Sequence, residues 1–189
     1  MKKVITSEVL VGYSQCPYKG YLLLCTRKRG THHEYIRILE KQRLAIQRKI
    51  INDLRQENAD VQSYSAEALT EKHNFIVNAI LEKDEVSANC ALLSKVKTHS
   101  AFGHYSYEPT IVVNSRTIKK EHRLEMLFVS HVLGQVQEKY PVTGRIVGLD
   151  EKSHRVKLEN GTKTLIPFLE PLQEWVAEEI PEPPSLILN

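Results

Sequence analysis

The strongest constraint on the fold is a change of hydrophobic period along the chain. Over 34–57, Ile36, Leu39, Ile46, Ile50 and Leu54 recur at helical spacing with charges between them, and neither Gly nor Pro intervenes. That pattern predicts one long amphipathic helix. From Asn74 the signal shortens to a β-branched apolar run, Phe75-Ile76-Val77 and Ala79-Ile80-Leu81, followed by strand candidates at 91–96 and 110–113. Gly103, Ser106 and Pro109 punctuate the last connection, and Pro109 is expected at the start of its strand, not inside it. The helical period then returns over 118–139, with Leu124, Leu127, Phe128, Val132 and Val136 on one face and Pro141 as the stop. Two such helices and three such strands can bury their apolar sides together only if the strands share a sheet that helices cover.

The flanking segments extend this scheme. Ser7 can cap a turn into Val9, Leu10 and Val11, and Cys16-Pro17 restarts a helix with the proline where its missing N–H costs little. The stretch 27–31 reads as a loop, and Ser65 caps a short helix. Downstream, 144–149 and 154–158 read as a hairpin across 150–153, Asn160-Gly161 as a turn, and 165–176 as a last helix despite Pro167 and Pro171. The expected class is α/β: a mixed sheet flanked by helices, with an N-terminal helical part. Residues 1–180 form one domain in this reading, helical over 1–72 and sheet-centred over 73–180, and 181–189 form an extended tail.

Composition narrows the setting. With 41% hydrophobic and 26% charged residues among 189, the chain has the apolar content of a folded domain. Three cysteines are too few for a disulfide scaffold and suit a reducing cytoplasm. No apolar run approaches the roughly 18 residues of a membrane span, and the N-terminus turns polar too early for a signal peptide. The net charge of +3 is small but unevenly placed. Arg27, Lys28, Arg29, Arg37, Lys41, Arg43, Arg48 and Lys49 face only Glu34 and Glu40 within 27–49, whereas Glu170, Glu174, Glu178, Glu179 and Glu182 crowd the C-terminal part. Such a basic front marks either a phosphate-binding side or a solvated helix face.

No phosphate-binding glycine loop, dinucleotide fingerprint, HExxH or paired CxxC is present. His32-His33 reads as a surface pair, and Cys25 and Cys90 as small core residues. Cys16 differs, because it stands in Ser14-Gln-Cys-Pro-Tyr-Lys near the N-terminus. The opening from Ser7 through Leu22 resembles the start of RecB-like nucleases of the PD-(D/E)xK superfamily, a group that includes CRISPR-associated iron–sulfur exonucleases. The resemblance continues in Gly103-His-Tyr-Ser-Tyr-Glu-Pro-Thr-Ile-Val-Val, Ile118-Lys-Lys-Glu-His-Arg-Leu, Val132-Leu-Gly-Gln-Val-Gln and Pro141-Val-Thr-Gly-Arg-Ile-Val. It covers nearly the whole chain, in the expected order.

The resemblance implies a restriction-endonuclease-like core in which an Asp, a Glu and a Lys on adjacent strands hold Mg²⁺ or Mn²⁺, often with a His from the preceding helix. The cation would activate water and neutralise phosphate charge. Matched position by position, the His falls near Ile46 or Gln47, the Asp near Cys90 or Ala91, the Lys at Thr110 and a helix-opening Gln near Arg123. Only Glu108 supplies an expected group, and Asp84 and Glu85 lie in a turn too far along the chain to replace the others. Cys16 matches the first thiolate of the iron–sulfur site, but no Cys follows Cys90, so a cluster is not expected in this chain alone. The chain then reads as a module truncated before a cysteine-rich segment or as one that has lost the cluster. The expectation is a RecB-like DNA nuclease module with a degenerate metal site, Arg43, Lys119, Lys120 and Arg123 contacting phosphates, and a helicase or RNase-H-like module as partner. A non-catalytic module binding nucleic acid or protein is the alternative.

Overall fold

The computed structural model describes residues 3–26, 30, 31, 33–179 and 181–185. Arg27, Lys28, Arg29 and His32, singled out above, lie outside them, as do 186–189. The elements run β1 (Ile5–Thr6), α1 (Ser7–Gln15), α2 (Pro17–Cys25), α3 (Glu34–Gln56), β2 (Val61–Ser63), α4 (Ala66–Thr70), β3 (Phe75–Lys83), β4 (Val86–Val96), β5 (Ser106–Val112), α5 (Lys120–Val136), β6 (Thr143–Val147), β7 (Ser153–Lys157) and α6 (Gly161–Ala177). The expected mixed α/β architecture with helices leading is the one observed.

One mixed sheet collects the strands in the order β2-β3-β4-β5-β6-β7, with β1 added beside β4. The β3–β4, β4–β5 and β6–β7 pairs are antiparallel, whereas β1–β4, β2–β3 and β5–β6 are parallel. Helix α5 packs across β3 to β6 on one face, together with α1 and α6. It is buried nearly all round: Leu124, Met126, Phe128, Val129, Val132 and Leu133 join the main core with Leu10, Ile76, Leu81, Leu93 and Ile146. Trp175 of α6 meets Tyr13 and Tyr21 edge-on at ring distances of 5.5 and 5.6 Å, which ties α1 and α2 to the C-terminal helix.

Among the described residues α3 alone covers the opposite face, and only partly. Ile46 packs on Val112 and Val147, and Ile51 packs on Val77 and Leu92. The apolar spacing of α3 begins at Ile36, yet Ile36 is 41% exposed and burial starts ten residues later. The first turns of α3 therefore overhang the sheet.

Pro109 corrects one expectation, since it lies inside β5 opposite Leu93. Its missing N–H is tolerated for a local reason. Two residues earlier, on the same edge of the strand, the Tyr107 N–H donates to Gln137 Oε1 at 2.9 Å, and so points away from β4. The parallel ladder to β6 begins only at Thr110. The proline thus occupies the one stretch of that edge where no ladder bond is required.

Gln137, fully buried at the end of α5, acts as the missing strand. Besides accepting from Tyr107 N–H, its Nε2 donates to Tyr107 O at 3.2 Å and to Lys139 O at 2.7 Å. Gln137→Leu would strand a buried backbone donor and acceptor. The expected cost is about 2–3 kcal/mol, a fall in Tm of roughly 5–10 °C for a domain of this size. Thermal melts of the two proteins check it, and an unchanged Tm would contradict it.

Candidate functional site

Strand β4 has more partners than one edge can hold continuously. On the side away from β3, β1 pairs with Val86 and Ser87, and β5 pairs with Leu92 to Val96. Residues 88–91 between these ladders have no strand partner on that edge among the described residues. Past Thr110, β5 leaves β4 and pairs with β6. The sheet forks there, and the fork opens a cleft of about 1040 Å³.

Ala91, Ile111, Val112 and Val113 form much of the cleft floor, with Asn89 and Asn114 at its edges. The overhanging turns of α3 make one wall, presenting Ile36, Glu40, Leu44 and Gln47 at helical spacing, with Arg37 and Lys41 beside them. The start of α1 (Ser7, Glu8) and of α5 (His122, Glu125) close the remaining sides. Ser7 Oγ is buried and has no hydrogen-bond partner among the described residues.

A directed polar chain runs along the α3 wall. Arg43 clamps Glu40 with Nε at 2.8 Å and Nη2 at 2.6 Å, and its Nη1 donates to Gln47 Oε1 at 3.3 Å. Gln47 Nε2 in turn donates to Asn78 Oδ1 at 2.8 Å. The Arg43 bond holds the Glu40 carboxyl below its ordinary range, so the clamp is an ion pair.

Asn78 has φ 56° in the middle of β3, a left-handed conformation that Asn tolerates better than most residues and that costs about 1 kcal/mol or more. Its effect is visible in the faces of both strands. Ile76 and Ala79 belong to the same core although they are three apart, as do Cys90 and Leu93 on β4, while Val77, Ala91 and Leu92 turn to α3. Alternation slips by one on both strands at the same level, so the register either side is kept: Val77 pairs with Leu92 and Ala79 with Cys90. The slip points Cys90 into the core and leaves Asn78 and Ala91 on the cleft. The interruption of an apolar run by Asn78 was the sequence signal for this bend, and the periodicity reading passed over it.

Glu125 sits partly buried in the cleft. Burial pushes its carboxyl up to about 7; Arg43 opposes the rise and Glu40 adds to it. His122 is held below its ordinary value by burial, in keeping with its Nδ1 accepting the Lys119 N–H at 3.1 Å. The buried Cys90 thiol, 3.2 Å from Leu92 O and 3.3 Å from Thr110 O, is pushed up to about 12 by burial, an unreactive state.

The residues singled out from sequence fall in different places. Arg43 lines the cleft, but its guanidinium is committed to Glu40. Lys119, Lys120 and Arg123 are exposed at the start of α5, the end that borders the cleft. Glu108 does not line it: its carboxylate accepts from Thr143 Oγ1 at 2.7 Å and Thr143 N–H at 3.2 Å, joining β5 to the start of β6. Ile46 and Thr110 are buried, and of the family-matched positions Gln47, Cys90 and Ala91 line the cleft, none of them an acid. Cys16 is exposed before α2, while Cys25 is half-buried and Cys90 buried. His33 bonds the Tyr35 N–H at the start of α3, and Arg37 and Lys41, named above only for their charge, stand on the wall.

The donors present do not fit a resident Mg²⁺ or Mn²⁺. Both Glu40 oxygens are held by Arg43, which leaves Glu125, whose carboxyl titrates near neutrality beside a guanidinium, and the exposed Glu8 of α1. Among the described residues no three His, Cys, Asp or Glu side chains are gathered to hold a metal ion.

The raised Glu125 carboxyl has a consequence for stability. The folded state keeps its proton up to about pH 7, whereas the unfolded chain releases it near 4.5, so Glu125 weakens folding progressively as pH rises through that window. Glu125→Gln is expected to match wild type below about pH 4.5 and to exceed it above pH 7 by up to about 3 kcal/mol. Urea melts of both proteins from pH 4 to 8 check this, and a constant difference across the range would contradict it.

No protein-family model and no curated protein matches the chain.

Proposed function

We propose that this chain is a RecB-like, nuclease-type module that binds nucleic acid in the β4–β5 cleft and does not hydrolyse it. The observation that carries the reading is the chemistry of the fork. Where phosphodiester hydrolysis needs clustered anionic oxygens and a base, the floor is Ala91, Ile111, Val112 and Val113, and the acids on the cleft are a clamped Glu40, a proton-retaining Glu125 and an exposed Glu8 from a third element, α1. Binding makes different demands, and the cleft meets them. Arg37 and Lys41 are exposed on its wall, with no ion-pair partner among the described residues, and Lys119, Lys120 and Arg123 flank the opposite end.

Fluorescence anisotropy with labelled single- and double-stranded DNA and RNA tests the reading. Affinity is expected to fall steeply with salt, each neutralised phosphate adding about 0.7–0.9 to the slope of log K against log salt. Arg37→Glu with Lys41→Glu should weaken binding by tenfold or more and flatten that slope. With Mg²⁺ or Mn²⁺ the bound strands should remain intact. Cleavage abolished by Glu108→Ala or Glu125→Gln would overturn the loss of catalysis. No binding at low salt would favour a protein-binding scaffold instead, for which exposed Tyr35, Ile36 and Ile38 on the overhang of α3 offer a surface.

A further inference from the structure

Resting on that reading, we infer that the cleft takes an unpaired nucleobase from a single-stranded segment, and that Asn78, held by Gln47, reads the edge of that base. A site for phosphate alone would need only cations, yet the cleft combines three kinds of group. Its floor is apolar and suits the face of a base. Beside its charged groups it carries four neutral amides, Gln47, Asn78, Asn89 and Asn114, which match the donor and acceptor pattern of a base edge. Its cations, Arg37 and Lys41, stand on the exposed wall, where a backbone would run.

Asn78 is the best placed of the amides because its orientation is fixed. The Glu40–Arg43–Gln47 chain ends on Asn78 Oδ1, which among the described residues leaves both Nδ2 hydrogens and the second Oδ1 lone pair for a ligand. A base edge bonded by one donor and one acceptor from a single carboxamide is the geometry by which Asn discriminates bases. Ser7 Oγ, a buried hydroxyl on the same cleft with no partner among the described residues, is a further group that a bound ligand would satisfy. A base can lay its face on that apolar floor only after leaving its own stack, which a single strand allows at lower cost than a duplex.

The test uses the full chain and three single-stranded ten-nucleotide probes, oligo-dA, oligo-dC and oligo-dT, each with its RNA counterpart, beside an abasic strand of the same length and charge. Base-bearing strands are expected to bind about tenfold more tightly than the abasic strand. Their affinities should also differ from one another by several-fold. Asn78→Gly removes the carboxamide but suits the left-handed backbone, so it preserves the fold, as circular dichroism and Tm would verify. It should lower base-bearing affinity about tenfold, abolish discrimination among bases and leave the abasic strand unaffected. Preference for DNA or for RNA is compatible with the inference. Equal binding of abasic and base-bearing strands, or unchanged discrimination in Asn78→Gly, overturns it while leaving nucleic-acid binding intact. Absence of binding by every strand overturns both.

Discussion

Everything distinctive in this molecule follows from the demands on β4. One edge of the strand is taken by β3 along most of its length, and the other is divided between β1 and β5. The two ladders on that divided edge do not meet, so four residues of a central strand are left without a strand neighbour there. A sheet interior normally has no such opening, because unpaired backbone groups away from water are costly. Here the opening is framed by α3, α1 and α5, and it becomes a large concavity. The fork therefore sets the site before any side chain is considered.

Three side chains hold the fork in shape. Gln137 substitutes for a strand beside Tyr107, so β5 can carry Pro109 and still keep its backbone bonded. Glu108 ties β5 to the start of β6 through Thr143. Asn78 absorbs the change of face that two paired strands undergo together. Gln137 and Glu108 are polar residues in a largely apolar layer bonded to named partners, the condition under which such groups specify a structure instead of weakening it, whereas Asn78 is exposed and bonded through its Oδ1 to Gln47. Glu125 differs: it borders the same space as a carboxylic acid that burial keeps protonated up to about pH 7.

The elements themselves were legible from period and punctuation. The long helix, the three central strands, the capped turn at Ser65, the second helix and the hairpin all appear close to where spacing predicts them. Pro109 was misread because a proline's tolerance depends on which edge of a strand its nitrogen faces, and that is set by Gln137, nearly thirty residues away. The incomplete burial of α3 was equally invisible, since Ile36 and Ile46 share a helical stripe but only the second lies above the sheet. The cleft was harder still. Its wall residues Arg37, Lys41 and Gln47, its floor residue Asn78 and its acid Glu125 are contributed by three separate elements. None forms a spacing motif, whereas Glu108, the acid that the resemblance picks out, has its carboxylate engaged with Thr143.

Hydrogen–deuterium exchange of the full chain, with and without a saturating single-stranded oligonucleotide at low salt, tests most directly whether the fork is the binding site. Opening and closing of backbone hydrogen bonds sets exchange, so a ligand seated in the fork must slow the amides that frame it. The account predicts protection in peptides covering 36–47, 76–80 and 88–91, with 153–157 on the far edge of the sheet unchanged. Protection confined to the far edge, or no protection at a concentration where binding is saturated, would contradict it.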